Sequence, residues 1–211
     1  KVLTTLGELP VLVHTLRVFQ QCPDIAEIVV VTREDLMVEV GSICQDFALT
    51  KVSKVIKGGK ERIHSVQAGL SEVREDAELI AIHDGARPLL PPDVLEEVLH
   101  RAAQTGAAAP AVPITDTVMR SENGLAVETV DRSTLFAVQT PQVFQADLIR
   151  AAVQKALEDG EVLTDDCAAV ERLGMKVSLT RGSRENLKLT TPFDLIVGEA
   201  ILDARERGEL G

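Results

Sequence analysis

The sequence predicts an α/β fold in which a mostly parallel sheet lies between two layers of helices. Short apolar runs alternate with segments of helical periodicity in units of roughly 25 to 30 residues, which is typical of βαβ winding. The clearest strand is Ile28–Thr32, which is β-branched throughout and too short for a helix. Because no linker, repeat or low-complexity tract interrupts the pattern, residues 1–211 are expected to form one domain.

The first half of the chain contains three predicted helices. A helix begins at Pro10, where proline suits the first turn, and Pro23 ends it. After the strand Ile28–Thr32, a second helix covers residues 35–47 and a shorter strand covers residues 51–56. The third helix follows a glycine loop and has apolar residues at helical spacing: Ile63, Val66 and Leu70.

The second half begins with the apolar run Leu79–Ile82, which stops abruptly at the polar segment HDGARP, residues 83–88. This change from apolar to polar residues is typical of a buried parallel strand that ends at a ligand-binding site, because ligands of open α/β sheets bind beyond the carboxyl ends of the strands. Two further helices are predicted at residues 93–103 and 146–157. A third is predicted to follow an N-cap at Thr164, and the last helix is predicted to begin at Thr191-Pro192. The remaining predicted strands cover residues 107–112, 177–180 and 187–189.

A hairpin is predicted to interrupt this alternation. Residues 118–129 are predicted as two short strands around Asn123-Gly124, a dipeptide that is the strongest short hairpin signal. Residues 115–133 are therefore expected to form an arm inserted into the domain. Because an arm that leaves the main sheet often contacts a second subunit, we predict a homodimer joined through it.

Composition and charge argue against several classes of protein. A formal charge of -11 argues against general binding of nucleic acid, and five Phe with no Trp or Tyr provide no set of aromatic faces for stacked bases. No apolar run approaches the roughly 20 residues that span a bilayer, so no membrane segment is expected. The three cysteines are widely spaced and odd in number, which indicates reduced thiols in a cytoplasmic protein.

The polar residues after the strand Leu79–Ile82 are the first candidates for chemistry. Asp84 could position a metal-bound phosphate or accept from a substrate hydroxyl, and Arg87 could grip a phosphate through two hydrogen bonds. The alternatives are a turn aspartate and a surface ion pair of little energetic value. The Gly58-Gly59 loop could cradle a nucleotide at a helix N-terminus, or it could be a tight turn.

Other polar residues gain interest from their positions. Lys188 stands between two leucines in the predicted strand at residues 187–189, which favours a functional role. The four histidines share no metal-ligand spacing. Four further residues each suit turn chemistry alone and could together surround an anionic sugar: Thr117, Arg132, Thr140 and Thr164.

Taken in chain order, these segments resemble the 2-C-methyl-D-erythritol 4-phosphate cytidylyltransferase family over essentially the whole chain. The matching motifs are PVLVHTL at residues 10–16, GGKERIHSVQAGL at 58–70, HDGARP at 83–88, DT at 116–117, VDR at 130–132, TPQ at 140–142, TDD at 164–166 and NLKLT at 186–190. The match is specific because many motifs agree in order, whereas none would suffice alone.

The resemblance implies a Rossmann-like nucleotidyltransferase fold and transfer of CMP from CTP to methylerythritol phosphate, with Mg²⁺ assistance and release of pyrophosphate. A phosphate oxygen of the acceptor would attack the α-phosphorus in line. Catalysis would then depend on positioning and on cations that stabilise the developing negative charge, with no protein nucleophile.

The resemblance also assigns roles by matching motif. Lys1 and Lys188 would neutralise the α-phosphate in the transition state. The cytosine and ribose would be bound by Gly59, the backbone of Lys60, Ser65 and Gly85. The acceptor would be held by Asp84, Arg87, Thr117, Arg132, Thr140 and Thr164, some of them donated by a partner's arm. Asp84 is also a candidate Mg²⁺ ligand.

Two alternatives stay open. A related pentitol-phosphate cytidylyltransferase, acting on ribitol 5-phosphate, shares most of these motifs and differs mainly in its acceptor pocket. A catalytically silent dimeric binder of sugar phosphates would also fit. The family's glycine-rich segment, which wraps the triphosphate, is expected before Lys1 and is missing from this sequence.

Overall fold

A computed structural model describes residues 2–160, residue 163 and residues 165–210, and it has a layered α/β architecture. Its strands are β1 (Thr5–Leu6), β2 (Leu9–Pro10), β3 (Ile28–Thr32), β4 (Val52–Lys57), β5 (Leu79–Ile82), β6 (Ala107–Pro113), β7 (Val118–Glu122), β8 (Leu125–Val130), β9 (Phe136–Val138), β10 (Gln142–Gln145) and β11 (Ser178–Arg181). Its helices are α1 (Val11–Gln21), α2 (Met37–Asp46), α3 (Arg62–Glu72), α4 (Pro92–Thr105), α5 (Ala146–Glu158), α6 (Asp166–Arg172) and α7 (Pro192–Glu206).

The central sheet has the strand order β11-β6-β10-β5. β11 runs parallel to β6, whereas β10 runs antiparallel to both of its neighbours, and β9 also pairs with β6 in the antiparallel sense. A separate parallel pair joins β3 and β4. The α/β prediction is confirmed, with β9 and β10 reversed. They are reversed because the chain returns from the arm without a helical crossover, and a parallel pairing would need one.

The core lies on both faces of this sheet. Val143 and Phe144 are neighbours on β10, are fully buried, and belong to different apolar clusters because successive side chains of a strand point to opposite faces. Phe144 packs with residues of α3, α5 and α6, and Val143 packs with residues of α1 and α4. Burial of each such side chain stabilises the folded state by about 1.5–3 kcal/mol.

Within the segment predicted as an arm, β7 and β8 form the expected antiparallel hairpin. Asn123 and Gly124 have φ values of 51° and 80°, the left-handed pair that a type I′ turn requires. The arm leaves several apolar side chains exposed: Met119 at 55%, Leu125 at 71% and Val127 at 45%.

Three local predictions differ from the structure. Residues 187–189 are an extended loop and form no strand; the N–H of Leu189 donates to the carbonyl of Ala86 at 2.8 Å, so this segment satisfies its backbone against the loop after β5. The N-cap of α6 is Asp165, whose carboxylate accepts from the N–H of Ala168, whereas a cap at Thr164 was expected. Pro10 precedes α1 in extended conformation, because it ends the short β1–β2 hairpin that the sequence pattern did not reveal.

The last helix begins as predicted. Thr191 and Asp194 form a reciprocal capping box at the start of α7. Among the residues that the structure describes, no helix is both long and apolar enough to cross a membrane.

Candidate functional site

The site is built around the carboxylate of Asp84, which lies two residues beyond the end of β5. Three cations from three different segments face it: Lys188 Nζ at 3.0 Å, Arg87 Nε at 3.4 Å and Arg62 at 3.6 Å. The Asp84 side chain is only 14% exposed, whereas that of Lys188 is 47% exposed. The structure thus places Asp84 and Arg87 together in the segment after β5, and Lys188 joins them from the loop before α7.

The charges of this cluster determine its protonation. Burial alone would raise the pKa of Asp84, but the hydrogen bond from Lys188 and the charges of Lys188, Arg62 and Arg87 hold that pKa below its usual value. Burial lowers the pKa of Arg87, opposed by Asp84, and a guanidinium remains protonated in proteins. At neutral pH the positive charges of Arg62, Arg87 and Lys188 thus outnumber the negative charge of Asp84 that they face.

Arg62 is a site residue that the sequence reasoning missed. It is the first residue of α3 and contacts both Asp84 and Asp166 of α6. Burial raises the pKa of Asp166, and Arg62 opposes that shift. Its position inside the GGKERI motif, immediately after the glycine loop, is the sequence signal that points to it.

The glycine loop lies at the N-terminus of α3, as predicted. The N–H of Gly59 donates to Ser65 Oγ at 3.1 Å, so two of the proposed nucleotide-binding residues meet. A Cβ added at Gly59 would stand 2.2 Å from the Cβ of His64, which explains the need for glycine there. Lys60 is exposed in the same loop.

Gly85 and Thr140 fix the segment that carries Asp84. The carbonyl of Gly85 accepts from Thr15 Oγ1 at 3.0 Å, and the N–H of Asp84 donates to Thr140 Oγ1 at 3.1 Å. Thr140 is 5% exposed. A Cβ at Gly85 would make only ordinary contacts of 3.6 Å or more, so sterics do not demand glycine at that position.

Two buried amides hold the loops around the cluster, and neither was predicted. Gln142 Oε1 accepts from the N–H groups of Asp166 and Cys167, and its Nε2 donates to Asp165. Asn186 Nδ2 donates to the carbonyl of Thr140 at 2.9 Å, while its own backbone carbonyl accepts from Arg87 at 2.6 Å. Both lie in motifs that the sequence match contains, TPQ and NLKLT.

The arm residues are not brought to Asp84 within one chain. Arg132 donates to the carbonyl of Thr115 at the base of the arm, and Thr117 is exposed there. An open cavity of about 400 Å³ lies between this base and the site, lined in part by Arg87, Arg184 and Asn186. Two further predicted residues, Lys1 and Thr164, lie outside the described residues.

The comparisons with known proteins agree across nearly the full length. The family model described as "IspD: 2-C-methyl-D-erythritol 4-phosphate cytidylyltransferase" matches residues 1–204. A 2-C-methyl-D-erythritol 4-phosphate cytidylyltransferase of Halalkalibacterium halodurans is 43% identical over 96% of this chain and 88% of its own length. A relative of the same name from Caldanaerobacter subterraneus subsp. tengcongensis is 43% identical over 96% of this chain and 90% of its own.

A solved structure gives the same result for the fold. The crystal structure of 2-C-methyl-D-erythritol 4-phosphate cytidylyltransferase from Thermus thermophilus superposes with a TM-score of 0.84 at 32% identity, covering 96% of this chain and 94% of that one. The layered fold is thus shared with an experimentally determined structure.

Proposed function

Because the chain belongs to the 2-C-methyl-D-erythritol 4-phosphate cytidylyltransferase family, we propose that it transfers CMP from CTP to methylerythritol phosphate and releases pyrophosphate. The reaction makes an isoprenoid precursor. We place it in the cytoplasm, in keeping with the buried free thiols of Cys22, Cys44 and Cys167.

One observation supports this proposal most: the three cations that converge on Asp84, beside the glycine loop of α3. Nucleotidyl transfer concentrates negative charge on the oxygens around the α-phosphorus, and preorganised cations stabilise that charge most effectively where water is partly excluded. Arg62, Arg87 and Lys188 already stand within 3.6 Å of one carboxylate. The protein therefore holds its cations in place before any substrate arrives.

We propose that Lys188 and Lys1 neutralise the negative charge that develops on the α-phosphate in the transition state. In this structure Lys188 contacts Asp84, and its half-exposed side chain can turn from that carboxylate toward a phosphate. Asp84 would thus hold the lysine ready for the reaction. The glycine loop would bind the nucleoside through Gly59, the backbone of Lys60 and Ser65, while Gly85 would line the ribose from the other side.

We place the acceptor between this cluster and a partner's arm. Asp84, Arg87, Thr140 and Thr164 would come from one subunit, and Thr117 and Arg132 from the other, because within one chain the arm residues stay at the arm's base. The exposed apolar side chains of Met119, Leu125 and Val127 support a second copy as the arm's partner, since isolated hairpins seldom leave such residues in water. The proposed enzyme is therefore a homodimer with shared sites.

Mg²⁺ belongs to the proposal, but the residues around Asp84 fit the ion poorly. Its carboxylate already faces three cations, which oppose the approach of a divalent one. Within residues 2–160, 163 and 165–210, no three acidic, histidine or cysteine side chains converge as a metal site. We assign no step to an ion held by Asp84 and propose that the nucleotide phosphates supply most of its ligands.

The experiment is to extend the chain with the glycine-rich segment of the family and measure pyrophosphate release with CTP and Mg²⁺. Methylerythritol phosphate and ribitol 5-phosphate are supplied in separate reactions. Turnover with the first acceptor is expected. Turnover with ribitol 5-phosphate alone would contradict the proposed substrate, and ligand binding without turnover would contradict the proposed reaction.

A further inference from the structure

A chain of hydrogen bonds runs behind Asp84, and its direction follows from its fixed end. His83 Nε2 lies 3.2 Å from the carbonyl oxygen of Arg87. A carbonyl oxygen can only accept, so Nε2 must carry a hydrogen. If the ring instead presented a bare Nε2 there, two acceptors would face each other in a partly buried position, which is unfavourable.

The ring of His83 is neutral under ordinary conditions. It is packed against Phe19 of α1, with ring centroids 4.9 Å apart. Burial lowers the pKa of His83 to about 4, and the charge of Arg87 acts in the same direction. The Arg87 carbonyl, the charge of Asp84 and the backbone of Thr140 oppose this shift of the pKa. With the hydrogen on Nε2, the other nitrogen, Nδ1, can only accept.

Thr140 completes the chain. Its Oγ1 lies 3.0 Å from His83 Nδ1, so the hydroxyl must donate to the ring. The same oxygen accepts from the N–H of Asp84 at 3.1 Å. The single hydroxyl hydrogen and one lone pair of Thr140 are therefore committed to the protein, and beyond these bonds the oxygen can only accept.

We propose that His83 is a positioning residue, an inference that rests on the proposed function. The ring of His83 accepts from the Thr140 hydroxyl, whose oxygen is thereby oriented to accept from the N–H of Asp84 and fixes the backbone that carries the Asp84 carboxylate. Because that carboxylate faces Arg62, Arg87 and Lys188, loss of this hydrogen-bond chain should disturb the acceptor side of the site.

The first test reads the tautomer directly and needs no turnover. Nitrogen-15 NMR of the histidine rings in the intact protein, with His83 assigned from the signal lost in His83→Gln, reports which nitrogen carries hydrogen. We expect hydrogen on Nε2 alone at pH 7 and no titration down to about pH 5. Hydrogen on Nδ1, or a ring that protonates near its ordinary pKa, would overturn the proposal even if the enzyme were fully active.

The second test separates positioning from general stability. His83→Gln can keep a donor for the Arg87 carbonyl while removing the acceptor that Thr140 needs; Thr140→Val removes the hydroxyl, and Thr140→Ser restores it. We expect His83→Gln and Thr140→Val each to lower kcat/KM for the acceptor about tenfold, which corresponds to one lost hydrogen bond, with KM for CTP unchanged. Thr140→Ser should recover most of the loss.

The double variant decides whether the two residues act as one unit. His83→Gln/Thr140→Val should be no slower than Thr140→Val alone, since both changes interrupt the same chain. Additive losses, or an equal rise in KM for CTP, would contradict the proposal. His100→Gln, at an exposed histidine of α4, is the matched control and should change nothing. If His83→Gln does not fold, the His83 signal is assigned by elimination from variants of the other three histidines, and the comparison of Thr140→Val with Thr140→Ser still decides.

Discussion

At the scale of single residues, the position of Lys188 suggests how its charge is held near the site before substrate binds. Its ammonium is held by Asp84 at 3.0 Å, yet nearly half of its side chain is exposed. A lysine in this position can transfer its charge to a phosphate without a change of backbone. Lys188→Ala should therefore lower kcat by two to three orders of magnitude, roughly the loss of one preorganised charge.

The control for Lys188→Ala is Lys176→Ala, which removes an exposed lysine away from the cluster. Steady-state kinetics with saturating CTP measures both. Near-normal turnover of Lys188→Ala would remove this residue from the catalytic role.

Arg62 gives a second prediction at this scale, through the pH dependence of stability. The pKa of Asp166 is raised in the folded state by burial, so the folded protein binds a proton more readily than the unfolded chain, and stability falls as the pH rises above about 3.8. Arg62→Gln removes the cation that limits this shift. The variant should lose about 2 kcal/mol at neutral pH and show a steeper fall between pH 4 and 7.

Urea unfolding across that pH range measures the effect. Arg62→Gln/Asp166→Asn should regain most of the stability, because no buried charge is then left unpaired. Parallel pH profiles for the wild type and Arg62→Gln would show that the ion pair contributes nothing to the fold.

At the scale of elements, the turn from β4 into α3 depends on the absence of a side chain. A Cβ at Gly59 would overlap that of His64, whereas a Cβ at Gly41 of α2 would meet nothing within 4 Å. Gly59→Ala should displace the loop and raise KM for CTP at least tenfold, while Gly41→Ala should leave kinetics unchanged and stabilise the protein by up to about 1 kcal/mol. Equal kinetics for both variants would count against a nucleotide site at this loop.

The elements also show what local patterns can and cannot predict. Ile28–Thr32, the Asn123-Gly124 turn and the Thr191 cap each have their signal within a few residues, and all three are where the sequence indicated. The reversed direction of β10 has no such signal, because it depends on pairing with β5, some sixty positions away. The predicted strand at residues 187–189 failed for the same reason: its apolar residues pack as a loop, with Asn186 fully buried beside them.

The residues of the site also divide into those with a local sequence signal and those placed by distant contacts. Asp84 and Arg87 could be placed from the sequence because they follow an apolar strand, whereas Lys188 was singled out from a strand that the structure does not contain. Arg62 and Gln142 act through partners more than twenty positions away, Asp166 in both cases. Only the folded chain brings these residues together.

At the scale of the whole molecule, the separation of the arm from the Asp84 cluster leads to a test of the shared site. Lys188→Ala and Arg132→Ala should each be nearly inactive. When the two are mixed as unfolded chains and refolded, about half of the dimers contain one of each, and one of the two sites in each such dimer is intact. Activity should recover to about a quarter of the wild-type value.

Mixing Lys188→Ala with Arg87→Ala is the control. Both residues belong to the same subunit's half of the site, so every site keeps a defect and no recovery is expected. Recovery in both mixtures, or in neither, would contradict a site shared through the arm.

The central claim is that this chain joins CMP to the phosphate of methylerythritol phosphate, and phosphorus-31 NMR of the reaction tests it most directly. With a glycine-rich N-terminal segment of the family added and CTP and Mg²⁺ present, the acceptor's monophosphate signal should disappear as the two coupled signals of a diphosphate ester and the signal of pyrophosphate appear together. Lys188→Ala should suppress all three changes. Loss of CTP with formation of free CMP, while the acceptor's monophosphate signal stays unchanged, would contradict the account.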